Sequence, residues 1–123
     1  MSASVLVVDD DRDIREAIAE ILRDEGFYVR EAKNGADALE QIAMEVPDVM
    51  LLDLMMPVMN GWEVMAAIRR DRSTLPIVVM SAVPADGCAD YVQKPISLQR
   101  LLSLVEAVRK KSTTLPVARR HED

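Results

Sequence analysis

Three apolar runs end abruptly on groups that carry chemistry. Val5-Leu6-Val7-Val8 delivers Asp9, Asp10 and Asp11; Val49-Met50-Leu51-Leu52 delivers Asp53; Ile77-Val78-Val79-Met80 delivers Ser81. Runs without a polar interruption predict strands covered on both faces, the situation of strands in a parallel sheet. If the first two lie side by side and parallel, their carboxyl ends place Asp9, Asp10 and Asp53 in one cluster, where like charges repel unless a cation is present. Carboxylate oxygens are the ligands that a hard ion such as Mg²⁺ selects. A fourth strand candidate, Tyr91-Val92-Gln93, ends on Lys94-Pro95.

Between these runs the apolar spacing becomes helical. Ile14, Ile18, Ile21 and Leu22 share one face of "DRDIREAIAEILRDEG", with acids in the first turn and Gly26 as a stop. Tyr28 to Ala32 reads as a short strand and Lys33-Asn34-Gly35 as its turn. Ala36 to Glu45 forms a second helix, with Ala38, Leu39 and Ile42 inward. Gly61 to Arg70 gives a third, with Val64, Met65 and Ile68, and Ser97 to Lys111 a last one, with Leu98, Leu101, Leu102, Val105 and Val108. Strands alternating with helices imply an α/β fold with its sheet covered on both faces.

At 123 residues and 50% hydrophobic, the chain suits a single core filled by aliphatic side chains. One cysteine, Cys88, cannot close an internal disulfide. No apolar stretch approaches the roughly 20 residues that span a bilayer, and the N-terminus lacks a signal-peptide pattern, so a cytoplasmic location is expected. The net charge of −6 disfavours direct nucleic-acid binding. The basic groups Arg69-Arg70-Asp71-Arg72 and Arg109-Lys110-Lys111 fall at expected helix C-termini, where they complement the helix dipole. Residues 112–123 read as a polar tail or linker stub after a domain spanning 1–111.

The motifs "VLVVDDD", "DVMLLDLMMPVMNGWEVM", "VVMSA" and "ADYVQKPI", in this order, resemble the receiver domain of bacterial two-component response regulators over Ala3 to Lys111. The resemblance implies a flavodoxin-like doubly wound sheet of five parallel strands in the order 2-1-3-4-5, an order for which general accounts of this fold already cite a receiver. It also implies Asp53 as phosphoacceptor, Asp10 as a direct Mg²⁺ ligand, Asp9 as a ligand through water and the Met55 backbone carbonyl as a further ligand. Lys94 would pair with Asp53 and later with the phosphoryl oxygens, Ser81 would donate a hydrogen bond to the phosphoryl group, and Tyr91 would be the switch aromatic. Expected partners are a histidine kinase or histidine phosphotransfer protein and an unidentified downstream protein, with no membrane contact.

The chain departs from the family between Ser81 and Lys94. Only "AVPADGCADYVQ" lies there, too little for the family's fourth helix, which is expected to be shortened or missing. That face is where many receivers dimerise, so a homodimer and the output surface both stay open. Met55 and Val83, each two residues after a site residue, are apolar and cannot orient water. Met55, Met56 and Met59 are expected to pack within the loop, and Trp62 at the start of its helix. The leading expectation is a stand-alone phosphorylation switch that is not an enzyme acting on a separate substrate. The alternatives are a phosphorylation-independent receiver acting as a scaffold, a fragment of a larger regulator, and a haloacid-dehalogenase-type phosphatase. The last wants a second Asp where this chain has Met55.

Overall fold

The computed structural model describes residues 3–71, 74–81, 91–94, 97 and 99–107. In chain order it contains β1 (Ser4–Val8), α1 (Arg12–Asp24), β2 (Tyr28–Ala32), α2 (Gly35–Met44), β3 (Val49–Asp53), α3 (Gly61–Asp71), β4 (Ile77–Ser81) and β5 (Tyr91–Gln93). A helix at 99–107, here α4, follows. All neighbouring strands are parallel and their order is β2-β1-β3-β4-β5, as expected.

The uninterrupted apolar runs are explained by two separate layers. Val5, Val7, Val49, Leu51, Val78 and Met80 face Ile18, Ala19 and Leu22 of α1 and Leu101 and Val105 of α4. Their neighbours Leu6, Val8, Met50, Leu52, Ile77 and Val79 face Ala38 and Ile42 of α2 and Val64 and Ile68 of α3. Each such side chain contributes roughly 1.5–3 kcal/mol when fully buried, and a one-residue slip would exchange the two layers.

Side-chain caps set where the helices begin. Asp11 accepts from the backbone N–H groups of Asp13 (3.0 Å) and Ile14 (3.2 Å) at the start of α1, and Asn34 accepts from that of Asp37 (2.7 Å) in α2. Asn60 and Glu63 cap each other's backbone N–H at 2.9 Å, a capping box for α3. Because the Asn34 cap and not apolar periodicity decides its start, α2 begins at Gly35, one residue earlier than expected; α3 runs on to Asp71, one residue further than expected. Gly26, at φ +97, ends α1 in a conformation that side chains resist.

The expected loss of a helix between β4 and β5 concerns residues 82–90, which lie outside the described residues, as do 108–111 and the tail. The strand register shows why nine residues suffice to connect two parallel strands. Tyr91 enters opposite Val79, two residues before β4 ends, a step back of only about 7 Å along the strand. Arg69 lies in the last turn of α3 and donates to the Leu75 carbonyl just beyond the helix (2.9 Å). Among the described residues no helix is long and apolar enough to cross a membrane.

Candidate functional site

Val8 stands opposite Leu52, so the next residue of each chain segment, Asp9 and Asp53, emerge together at the carboxyl end of the two central strands. Their side chains are buried, 0% and 2% exposed. The three consecutive acids divide their roles. Asp11 turns back to cap α1, Asp10 stands exposed, and Asp9 turns inward, its Oδ1 accepting from the Asp11 backbone N–H (2.9 Å). Arg15 fixes that turn by donating to the Asp9 carbonyl (3.0 Å) while pairing with Glu31 (3.1 Å). One oxygen from each of Asp9, Asp10 and Asp53 lies within 4.8 Å of the others.

β4 and β5 bring the remaining groups. Met80 pairs with Asp53, which puts Ser81, fully buried, one residue further along the adjoining strand. The Lys94 backbone N–H donates to the Ser81 carbonyl (2.7 Å), extending the ladder by one step. From there the Lys94 ammonium reaches 3.3 Å from Asp53 Oδ1 and 3.4 Å from Asp9 Oδ2. Tyr91 opens β5; its side chain, like Pro95 after Lys94, lies outside the described set.

Two features of the β3–α3 loop escaped the sequence reading. Gly61 is needed for close approach: a Cβ there would meet the Asp53 carbonyl oxygen at 2.6 Å and the Leu54 Cα at 2.7 Å. The Asn60-Gly61 pair was the available signal, and only Gly61 was read, as the start of a helix. The expected packing of the loop residues is half right. Met56 is buried and Met59 packs on the α2–α3 layer, but Met55 is 66% and Trp62 45% exposed. A loop this short has an inner side only for Leu54, Met56 and Met59.

The electrostatics follow from crowding. Burial, and then the neighbouring Asp9 charge, push the Asp53 carboxyl up to about 6 against the pull of Lys94 and of the Met55 N–H (3.2 Å). Burial works against the Lys94 ammonium, yet the charges of Asp9 and Asp53 with their hydrogen bonds outweigh it and hold the amine above its usual value. When ionised, three carboxylates against one ammonium leave the site two charges negative. A divalent cation balances that charge. The donors are all hard oxygens, and Mg²⁺ with ligands at about 2.1 Å spaces neighbouring oxygens by roughly 3–4 Å, so small side-chain rotations would close the set around it.

Residues 5–106 match the family model described as the response regulator receiver domain. The chain belongs to that family. This receiver is 38% identical over 121 residues to the response regulator MprA of Mycobacterium ulcerans, an alignment covering 91% of the chain and 52% of the relative. It therefore spans about half the length of the curated relatives it matches. Among solved structures, the Francisella response regulator 1452 receiver domain superposes with a TM-score of 0.84 at 28% identity, covering 90% of this chain and 99% of that one. The chemotaxis protein CheY4 of Vibrio cholerae gives 0.83 at 29%, covering 88% and 99%. Receivers are not conventional enzymes, and membership implies a cognate histidine kinase as partner. The acidic cluster is typical of a receiver Mg²⁺ site.

Proposed function

We propose that this receiver is a phosphorylation-dependent switch, in which Asp53 takes a phosphoryl group from a phosphohistidine donor in the presence of Mg²⁺ and the altered domain signals through protein contacts. The observation that carries this reading is the Lys94 ammonium lying within 3.4 Å of both Asp9 and Asp53 on a site with excess negative charge. Around neutral pH an Asp53 carboxyl that titrates near 6 is mostly ionised, as a nucleophile must be.

In the transfer step an Asp53 oxygen attacks phosphorus while the P–N bond to the donor imidazole breaks. The bonding pair returns to the imidazole nitrogen, which takes up a proton, and an acyl phosphate remains on Asp53. Lys94 holds charge against the phosphoryl oxygens, and the Ser81 hydroxyl donates to one of them once the group has arrived. Mg²⁺, when bound, neutralises phosphoryl charge; Asp10 and Asp53 would ligate it directly, Asp9 through water, with the Met55 backbone carbonyl as a further ligand. Tyr91, at the start of β5, would carry the change to the surface. Apolar Met55 and Val83 give no hydrogen bond to an attacking water, which favours a long-lived phosphoryl group.

Intact mass after incubation with a small phosphodonor tests the reading. One phosphoryl adduct is expected with Mg²⁺, and none with chelator or in Asp53→Asn. Absence of an adduct in the wild-type chain with Mg²⁺ would sink the switch and leave a scaffold role.

A further inference from the structure

Asp9 and Asp10 share a peptide group that is held from outside the acidic cluster. Asp9 stands one residue beyond β1, and its N–H still joins the sheet, donating to the Ala32 carbonyl at the end of β2 (3.2 Å). Its carbonyl is held by a side chain instead: Arg15, in the first turn of α1, donates to it through Nη1 (3.0 Å). The same guanidinium donates through Nε to Glu31 of β2 (3.1 Å), and the Arg15 side chain is only 13% exposed. Exposed Arg–Glu pairs contribute little to stability, and such a pair needs neither burial nor a backbone acceptor.

The Asp9 carbonyl belongs to the peptide that links Asp9 to Asp10. A peptide unit is planar, so holding its C=O restrains ψ of Asp9 and φ of Asp10 together, the torsions that aim both carboxylates. The Asp9 carboxylate has further support from the Asp11 N–H (2.9 Å) and the Lys94 ammonium (3.4 Å). Asp10 is exposed, and its aim depends on the backbone it shares with Asp9. Glu31, at the far end of the guanidinium, is itself anchored. Its carbonyl accepts from Gln41 Nε2 of α2 (2.7 Å), and its second carboxylate oxygen lies 3.5 Å from Arg23 of α1, which also donates to the Val29 carbonyl (3.0 Å). β2 is an edge strand, yet these side chains tie it to both helices.

We infer that Arg15 is a positioning residue for the metal site, acting on Asp9 and Asp10 through the peptide between them, with Glu31 as its anchor on β2. This rests on the reading of Asp9 and Asp10 as Mg²⁺ ligands. Arg15 acts through geometry and against its own charge, because a cation beside the acids repels a second cation; Glu31 offsets that repulsion. A lysine at this position offers a point charge in place of a planar fork and cannot fix the Asp9 carbonyl and Glu31 in one plane.

Calorimetric titration of wild type, Arg15→Met and Arg15→Lys with MgCl₂ separates geometry from charge by the sign of the effect. Positioning raises the dissociation constant about ten-fold in Arg15→Met, the scale seen when partners of metal ligands are lost, and less in Arg15→Lys. Unchanged or tighter binding overturns the proposal, tighter binding being what loss of a cation alone would give. With phosphoramidate as donor, the Mg²⁺ concentration for half-maximal phosphorylation should rise by the same factor, while the rate at saturating Mg²⁺ falls less than three-fold. An equal fall at saturating Mg²⁺ overturns positioning and assigns Arg15 to the fold of the whole site. Adding Glu31→Gln to Arg15→Met should raise the dissociation constant less than two-fold further, since the anchor then has nothing to hold; a second ten-fold rise refutes the anchor. If Arg15→Met does not fold by circular dichroism, Arg15→Lys decides, and wild-type affinity in it overturns the proposal. Wild type that binds no Mg²⁺ overturns the metal-site reading and the proposal together, whereas wild-type binding with unchanged variants overturns the proposal alone.

Discussion

At Asp53 the folded chain raises a carboxyl from its ordinary 3.8 to about 6, so the folded state holds that proton more tightly than the unfolded one. Ionising the group then destabilises the fold progressively as pH rises from about 4 through 6, and the full penalty applies above that range. In chelator, Asp53→Asn should exceed wild type in stability by about 1–2 kcal/mol at pH 7.5, and urea melts at about pH 3, below the ordinary carboxyl value, should show the difference gone. Val58 makes a second residue-scale prediction. Its left-handed backbone, at φ +68, costs roughly 1–2 kcal/mol for an L side chain, part of which Val58→Gly loses again to unfolded-chain entropy. A net gain of about 0.5–1 kcal/mol in denaturant melts is expected; a loss would mean that this conformation is not strained here. Neither residue could be fully read from the sequence. That Asp53 ends a buried strand was legible, because four apolar letters precede it. That Asp9 and Asp10 join Asp53 was legible too; that Asp9 is the buried one and Asp11 the helix cap was not, since identical neighbours differ only in the hydrogen bonds they find: the cap for Asp11, the Asp11 N–H for Asp9.

Elements were legible where their signal is local. All five strands were predicted within one residue; for the three interior strands the reason is that each run must stay apolar on both faces. Helix starts were less so: the Asn60-x-x-Glu63 capping box was present in the sequence and passed over in favour of the apolar face of α3. Asn60→Ala removes one side of that box and should lower stability by about 1 kcal/mol, with Glu63→Ala adding less than its own single effect in a double-mutant cycle. Some helix ends depend on distant residues and are invisible to local reading. α2 has no basic residue in its last turn; instead Arg30 of β2 donates to the carbonyls of Gln41 (3.4 Å) and Glu45 (2.6 Å). Sequence pattern cannot reveal such a cap, because strand and helix meet only after the sheet has formed.

For the molecule as a whole, the acidic cluster links metal binding to folding. A ligand held only by the folded state at about one hundred times its dissociation constant adds about 2.7 kcal/mol. Mg²⁺ should therefore raise the denaturation midpoint. Asp10→Asn, at an exposed position, should leave stability in chelator within about 0.5 kcal/mol of wild type and remove most of the Mg²⁺ gain; titrating Mg²⁺ through thermal melts of both proteins checks this. The same cluster shows why the site is less evenly secured than the sheet around it. Asp9 follows β1 and Asp53 ends β3, each of these strands having a strand on either side, whereas Lys94 follows a three-residue edge strand whose one strand neighbour among the described residues is β4. Warming should peel β5 away first, carrying off the counter-charge and leaving two carboxylates facing each other. Such a domain would lose the chemistry of its site before its core gives way.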